Sequence, residues 1–329
     1  MTQPRRAQVH APGDVRVVAA PPPPPRGPAD LWCRVRAVGV CGTDVAIARE
    51  GDAGLDQVPG HEIVAEVVDA PPDSWVAPGA RVMIRPIRGC GACWYCRAGL
   101  IHQCDRSAEL TISYGRPGGY ADLLLVDAPT PDEVVAVADG VDDLDAVWAE
   151  PLAVALHAVR TAAGDGEALV VIGAGPLGLC AIAAARALGL RVTAIEPREP
   201  RRAAALGIGA DRVIDPTTTT TPPRSHAVLT TVGSSAALAM AHQICAPGGV
   251  VVHAGLGHGA TLPDTLGPVT TVGSFGYLPE EFLHSTALIN SGKVRLSSLV
   301  THEVRLADIG MALQLPVTDP AAVKVVVRP

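Results

Sequence analysis

The sequence predicts an α/β protein in which a doubly wound parallel sheet accompanies a β-rich domain. From residue 168 to about 278, apolar strand-like runs alternate with helical patterns, as expected for such a sheet. Before residue 150, short β-branched runs are punctuated by Gly and Pro, which favours strands and turns. A chain of 329 residues is also too long for one ordinary compact core. We therefore expect two domains.

A glycine motif follows the first strand of the parallel sheet. Gly173, Gly175 and Gly178 form G-x-G-x-x-G, with Pro176 and Leu177 between the last two glycines. One glycine permits the turn, one lets a pyrophosphate approach and one permits helix–strand packing. The free N–H groups of the following helix attract phosphate. The motif predicts a dinucleotide site, with a purely structural glycine turn as the alternative.

The next strand supplies the second part of this fingerprint. Residues 191–195 are apolar and end at Glu196, about 20 residues after the motif as the pattern requires. A carboxylate at this position can accept hydrogen bonds from an adenosine ribose. This context favours a bound dinucleotide over a structural turn.

Four of the eight cysteines lie close together. Cys90, Cys93, Cys96 and Cys104 have the spacing C-x2-C-x2-C-x7-C in a glycine-containing loop. Four soft ligands at short spacing suit a closed, tetrahedral structural zinc site. An iron–sulfur cluster is the competing use of such spacing, and a disulfide pair is the simplest alternative.

A second candidate metal site is more dispersed. Cys41 and His61 are types of residue that bind zinc, and Glu150 lies in the first turn of a predicted helix. Taken singly, the cysteine and histidine would be ordinary core or surface residues. Glu150 alone could simply complement the helix dipole. Together, the three residues form a candidate ligand set.

Charge and patterning argue against several classes of partner. The net charge is −7 and no basic block occurs, so we expect no nucleic-acid partner. Residues 1–10 contain arginines but no apolar core, which argues against a signal peptide. The apolar runs near 169–190 are broken by Gly and Pro, so we expect no membrane span. These features predict a cytoplasmic protein.

Several segments besides the four-cysteine loop match one known family in order and spacing. They are GVCGTD (39–44), PGHE (59–62), GGYAD (118–122), EPLAVALHAV (150–159), GAGPLGL (173–179) and GKV…LVTHEVRL (292–306). On these segments the chain resembles the zinc-dependent medium-chain dehydrogenase/reductases nearly end to end. The Glu-Pro-Leu segment that starts at residue 150 resembles the polyol, sugar, threonine and cyclitol dehydrogenase branch. The resemblance implies a Rossmann domain over 151–285, inserted in a GroES-like catalytic domain formed by 1–150 and 286–329.

The resemblance also implies a role for each candidate residue. Cys90, Cys93, Cys96 and Cys104 would hold the structural zinc. Cys41, His61 and Glu150 would hold the catalytic zinc, with Glu62 as an exchangeable ligand. Thr43 would take the proton of the substrate hydroxyl, and Asp44 would orient His61. Glu196 and Arg201 would bind the adenosine ribose.

The implied activity is hydride transfer between NAD(H) and a secondary alcohol or ketone. An aromatic content of 3% favours a polar polyol, sugar or aminocyclitol substrate. A carboxylate at Glu196 favours NAD, although Arg198 and Arg202 nearby keep NADP as an alternative. The resemblance further implies a homodimer or homotetramer.

One residue departs from the family pattern. The histidine that often ends the proton relay is replaced by Ala46. Two other functions remain as alternatives. One is a zinc-free quinone or enoyl reductase of the same superfamily, and the other is a non-enzymatic dinucleotide-binding protein.

Overall fold

The computed structural model describes residues 3–21, 24–50, 57–164, 166–218, 222–255, 261–262 and 267–329. The chain divides into two compact units. The first unit consists of Met1–Glu150 and Leu278–Pro329, and the second consists of Pro151–Tyr277. The sequence placed the corresponding boundary at 285, within a helix that belongs to the first unit.

The strands of the described chain are β1 (Arg5–Ala11), β2 (Asp14–Ala19), β3 (Leu31–Gly39), β4 (Glu62–Asp69), β5 (Arg81–Ile84), β6 (Leu123–Val126), β7 (Val134–Ala136), β8 (Ala168–Ile172), β9 (Arg191–Ile195), β10 (Arg212–Ile214), β11 (Ser225–Thr230), β12 (Cys245–His253), β13 (Thr270–Gly273), β14 (Val300–Arg305) and β15 (Lys324–Arg328). The α-helices are α1 (Gly42–Glu50), α2 (Trp94–Arg97), α3 (Ser107–Leu110), α4 (Asp143–Ala146), α5 (Ala149–Ala163), α6 (Pro176–Ala187), α7 (Glu199–Gly207), α8 (Ser235–Ile244), α9 (Pro279–Asn290) and α10 (Ile309–Thr318). Short 3-10 helices occupy Ile101–Gln103, Ser297–Leu299 and Leu306–Asp308.

The second unit contains a six-stranded parallel sheet. Its strand order is β10-β9-β8-β11-β12-β13. The first strand, β8, lies in the middle, β9 and β10 follow on one side of it, and β11, β12 and β13 follow on the other. The order therefore reverses at β8, and the glycine motif follows the carboxyl end of this strand. Ligands of doubly wound sheets bind at such a switch point. The predicted doubly wound fold is confirmed.

The crossover between β10 and β11 contains a threonine-rich segment, in which five threonines (217–221) lie between Pro216 and Pro222. Residues 215–218 and 222–224 form no helix, whereas 219–221 lie outside the described residues. A run of threonines and prolines favours a loop because β-branched residues and proline are poor helix formers.

The first unit is built on a larger, mostly antiparallel sheet. Its order is β14-β15-β3-β4-β5-β7, and β6 also pairs with β3. Only β14 and β15 pair in parallel. In β3, the side chains of Leu31, Cys33 and Val35 belong to the buried core cluster, as the alternation of a half-buried strand requires. Because β15 lies beside β3, a segment distant in sequence completes this sheet.

The hairpin β1–β2 of the first unit was not predicted from the sequence. A 3-10 turn directly precedes β14, which begins at Val300. None of the described helices combines the length and apolar character that a membrane crossing requires.

Candidate active site and metal centres

The four-cysteine loop brings its four sulfur atoms together. The Sγ atoms of Cys90, Cys93, Cys96 and Cys104 lie within 4.8 Å of one another. Two of these separations are 4.0 Å (Cys90 to Cys96) and 3.9 Å (Cys93 to Cys104). A tetrahedral zinc with Zn–S bonds of about 2.3 Å requires S–S edges of about 3.8 Å. None of the eight cysteines is disulfide-bonded. The four sulfur atoms therefore fit a zinc ion.

Backbone amides stabilise the thiolate forms in this loop. The N–H groups of Cys93 and Cys96 donate to the sulfurs of Cys90 and Cys93, at 3.3 and 3.5 Å. Backbone hydrogen bonds lower the pKa of Cys93 to about 6, whereas burial raises the pKa of Cys96 to about 12. A bound cation favours the thiolate at every position, because thiolates are the metal-binding form.

The second cluster contains Cys41, His61 and Glu62. One ligand atom of each lies within 4.8 Å of the others, and His61 and Glu62 are buried. Cys41 precedes α1, and Glu62 begins β4, which pairs with β3 through Gly39. The register of two neighbouring strands therefore brings the cysteine turn and the histidine turn to the same edge of the sheet.

The carboxylate of Asp44 accepts hydrogen bonds from both the turn that contains Cys41 and the turn that precedes His61. Its Oδ2 accepts a hydrogen bond from the N–H of Cys41, and its Oδ1 accepts one from the N–H of Gly60, both at 3.0 Å. Nδ1 of His61 lies 3.3 Å from Oδ1, at ion-pair distance but outside hydrogen-bond geometry. Burial raises the pKa of Asp44, but these partners outweigh it and the pKa lies below its ordinary value.

The charge of His61 depends on the same neighbours. Burial lowers the pKa of His61, but the charges of Asp44 and Cys41 overcompensate and raise it well above its ordinary value. A metal ligand must be a neutral imidazole, so a cation would displace this proton. A buried histidine between a thiol and a carboxylate therefore has the donor chemistry of a zinc site, with Asp44 as the outer partner that orients the ring.

Glu62 forms a buried ion pair with Lys324, a residue that no sequence motif indicates. Nζ of Lys324 contacts Oε2 of Glu62, donates to the carbonyl of Val40 at 3.3 Å and lies 5.0 Å from the centre of the Trp148 ring. Glu62 and Lys324 are each 1% exposed. The Cβ of any residue other than glycine at position 39 would overlap this pair. The local backbone is thus adapted to the ion pair.

Glu150 lies at the start of α5 and is 7% exposed. Within the described residues, the set of converging ligand atoms does not include Glu150. The structure therefore brings together Cys41, His61 and Glu62 but leaves the predicted third ligand outside that set.

Thr43 follows the cysteine ligand in the first turn of α1. Its Oγ1 accepts from the thiol of Cys41 at 3.7 Å. The hydroxyl of Thr43 also interacts with Tyr114, whose pKa is raised mainly by burial. Ala46, where the family pattern often has histidine, offers no proton-transferring group. Tyr114 is a further residue that the sequence analysis missed, because no motif marks it.

The glycine turn of the second unit joins the end of β8 to the start of α6. Gly173 adopts φ +93°, and a Cβ on Gly178 would overlap the carbonyl oxygen of Gly173. Gly175 caps α6, and Pro176 occupies its first turn together with Leu177. This open helix N-terminus is a suitable site for a pyrophosphate.

Glu196 and Arg201 both lie near this turn. The carboxylate of Glu196 accepts hydrogen bonds from the N–H of Ala174 at 2.8 Å and of Arg198 at 3.0 Å. NH1 of Arg201 lies 3.7 Å from the position that a Cβ on Gly175 would take. Burial and the neighbouring Arg198 lower the pKa of Arg201. A negatively charged ligand at the turn would offset this repulsion.

A doubly wound sheet with a glycine turn at its switch point, together with two clusters of candidate metal ligands, is typical of metal-dependent, nucleotide-linked oxidoreductases. Comparison with known families agrees. Residues 27–139 match the model of the alcohol dehydrogenase GroES-like domain, and residues 176–291 match that of the zinc-binding dehydrogenases.

Individual relatives cover most of the chain. A 2-dehydro-3-deoxy-L-galactonate 5-dehydrogenase of Pseudoalteromonas atlantica is 30% identical over 312 residues, covering 88% of this chain and 89% of the relative. An L-galactonate-5-dehydrogenase of Escherichia coli is 29% identical over 300 residues, covering 86% of each chain. A solved structure from Sinorhizobium meliloti, bound to NADP, superposes with a TM-score of 0.89 at 25% identity and covers 100% of both chains.

The chain therefore belongs to the zinc-binding, alcohol dehydrogenase-type medium-chain dehydrogenases. It is a zinc-dependent oxidoreductase that acts on CH–OH groups. The predicted resemblance, fold class and enzyme class are confirmed.

Proposed function

We propose that this enzyme interconverts a secondary alcohol and its ketone on a small, polyhydroxylated substrate, with a nicotinamide dinucleotide as hydride carrier. The convergence of Cys41, His61 and Glu62 above the Asp44 carboxylate is the observation that carries the proposal. Relatives that act on a galactonate, a deoxygalactonate and, at 32% identity over 229 residues, a scyllo-inosose support a sugar acid, polyol or cyclitol as substrate.

The metal ligands are part of the proposal. Cys41, His61 and Glu150 hold the catalytic zinc, Glu62 serves as an exchangeable ligand, and the four clustered cysteines hold the structural zinc. When bound, the catalytic zinc supplies a Lewis acid and the nicotinamide supplies a hydride acceptor. Everything else in the reaction is orientation and proton transfer by the side chains of this chain.

Each of these side chains has a defined task. Asp44 fixes the orientation of the His61 ring, and Lys324 holds the carboxylate of Glu62. Thr43 presents a hydroxyl beside the sulfur of Cys41, where it can take the proton from a substrate hydroxyl. Because Ala46 cannot continue that relay, the proton passes from Thr43 to water, either directly or through Tyr114, whose phenol would accept this proton while releasing its own to water.

We assign cofactor binding to the second unit. Gly173, Gly175 and Gly178, with Pro176 and Leu177, bind the pyrophosphate, and Glu196 and Arg201 bind the adenosine ribose. The carboxylate of Glu196 favours NAD, since it would repel a 2′-phosphate. The S. meliloti structure contains NADP, so the cofactor test must include both dinucleotides.

The first test measures metal content and turnover together. Purified protein is analysed for zinc per chain, and absorbance at 340 nm is followed with NAD or NADP and a panel of sugar acids, polyols and cyclitols. Two zinc ions per chain with turnover on a member of the panel support the proposal. Turnover that persists after removal of all zinc would refute it.

A matched pair of histidine variants tests the site. H61A is expected to abolish turnover while cofactor affinity, measured by NADH fluorescence, stays unchanged. H226A removes an exposed histidine of the second unit and should leave both unchanged. Parallel loss of cofactor binding and turnover in H61A would contradict the assigned role.

The remaining expectations concern the setting of the enzyme. We propose a cytoplasmic homodimer or homotetramer that acts on a small molecule. Analytical ultracentrifugation of the zinc-loaded protein tests the oligomeric state.

A further inference from the structure

We propose that Tyr120 is a positioning residue of the Cys41–His61 metal centre, acting through the carboxylate of Asp44. The inference rests on the proposed function, because it concerns the metal site on which that function depends. It adds a third layer behind the metal ligands: the tyrosine hydroxyl holds the carboxylate, and the carboxylate holds the histidine.

Tyr120 is fully buried and packs against the turn that precedes His61. It is 0% exposed, and its backbone N–H donates to the carbonyl of Pro59 at 3.1 Å. A Cβ on Gly60 would lie 3.0 Å from the tyrosine ring, so the ring lies directly against the turn that precedes His61. The tyrosine thus belongs to the same packed layer as the histidine turn.

The hydroxyl of Tyr120 has two acceptors within reach. Oδ2 of Asp44 lies at 3.0 Å and the carbonyl oxygen of Gly39 at 3.2 Å. A phenol has one proton to donate, and an ionised carboxylate is the stronger acceptor. Burial raises the pKa of Tyr120 well above its ordinary value, and the charge of Asp44 raises it further. The hydroxyl therefore remains protonated and donates.

The contacts of Asp44 show what the hydroxyl contributes. Oδ1 faces the N–H of Gly60 and the ring of His61, whereas Oδ2 faces the N–H of Cys41 and the hydroxyl of Tyr120. Each oxygen thus has one backbone partner and one side-chain partner. Removal of the hydroxyl leaves Oδ2 with one of these two partners, so the plane of the carboxylate is less restrained. The ring of His61 then loses part of its orientation.

Core packing alone does not account for the hydroxyl. A phenylalanine would fill the same volume without burying a polar group that needs a partner. The Tyr120→Phe variant therefore removes the proposed function of the residue while keeping its shape.

The test measures metal release, which needs no substrate. Zinc-loaded wild type and Y120F are mixed with a chromogenic chelator, and the phase that belongs to this centre is identified as the one absent in C41S. Loss of a direct outer partner of a metal ligand costs about 10- to 100-fold in metal affinity. Because Tyr120 acts one contact further out, we expect release from this centre in Y120F to be faster by about 10-fold, the lower end of that range. Release from the four-cysteine site should be unchanged. Y277F, which alters another fully buried tyrosine, is the control and should match wild type.

Two further measurements separate positioning from a general packing role. In a D44N background, Y120F should change release by less than about 2-fold, since the partner through which it acts is already altered. Cobalt-substituted Y120F should show a shifted visible absorption spectrum. Equal release from Y120F and wild type, or an undiminished effect of Y120F in the D44N background, would overturn the inference.

A failure of the enzymatic proposal would be seen separately. If no member of the substrate panel is turned over but release responds as expected, only the proposed activity fails. If Y120F lowers the unfolding temperature of the metal-free and zinc-loaded proteins equally without faster release, Tyr120 is only a packing residue.

Discussion

The buried ion pair between Lys324 and Glu62 makes a sharp prediction for the variant K324M. Methionine keeps most of the length of the side chain but removes its charge, which leaves the Glu62 carboxylate buried without this partner. At an effective dielectric constant of about 20, two charges about 3 Å apart attract by roughly 5 kcal/mol. Desolvation of both groups offsets most of this gain, so the intact pair adds little net stability.

The loss of one partner is a different matter. Because Glu62 is 1% exposed, its carboxylate cannot recover its hydration. Breaking a buried pair in this way costs about 3–5 kcal/mol. K324M should therefore lower the free energy of unfolding of the first unit by that amount in metal-free protein at pH 7. The double variant E62Q/K324M removes both charges and should recover most of the loss.

The chain offers a selective probe for this measurement. All four tryptophans, Trp32, Trp75, Trp94 and Trp148, belong to the first unit. Tryptophan fluorescence during urea unfolding therefore follows that unit alone. K293M is the matched control, since Lys293 is exposed and is the other of the two lysines in the chain. A loss below about 1 kcal/mol in K324M, or no recovery in the double variant, would refute the reasoning.

Three other perturbations test the remaining sites. In metal-free protein the pKa of the Cys93 thiol is lowered to about 6, so iodoacetamide should alkylate Cys93 fastest at pH 7, and the rate should be half-maximal near pH 6. Peptide mass spectrometry identifies the alkylated residue, and faster alkylation of Cys96 would contradict the prediction. In G178A the new Cβ overlaps the carbonyl oxygen of Gly173, so NADH should bind at least about 10-fold more weakly, a loss of about 1.4 kcal/mol in binding free energy. Fluorescence titration measures this affinity, and an unchanged value would contradict the need for a tight turn. E196S should lower the ratio of kcat/KM for NAD to kcat/KM for NADP by about 10-fold, because the 2′-phosphate of NADP would no longer lie beside a carboxylate. An unchanged ratio would contradict the assignment of Glu196 to the ribose site.

The sequence was most informative where chemistry restricts the choice of residue. The four-cysteine spacing and the glycine turn are short-range patterns, because a metal and a pyrophosphate impose them locally. The parallel sheet was also predictable, since its central strands β8 and β11 are largely buried and its strands alternate with helices. Local patterns were therefore sufficient to predict the fold class, and they supplied the candidate ligands of both metal sites.

Residues that reach the site from distant segments left no such pattern. Lys324 meets Glu62 only because β15 pairs with β3, a contact that spans 262 positions. Tyr120 reaches Asp44 across 76 positions. Neither contact can be read from spacing: Lys324 looks like an ordinary strand position, and the GGYAD segment (118–122) marks the family but not the partner of Tyr120. The helix α1 was also not predicted, because it begins with Gly42 and Thr43, which are poor helix formers.

The placement of β15 has a consequence for biosynthesis. Lys324 leaves the ribosome 262 residues after Glu62, once the whole second unit has been translated. Until then, the end of β3 at Val38 and Gly39 lacks its strand partner, and the Glu62 carboxylate lacks its lysine. The second unit, by contrast, is continuous in sequence and can fold as soon as it emerges. The first unit, although its synthesis begins earlier, can therefore complete its sheet only after the second unit has been translated.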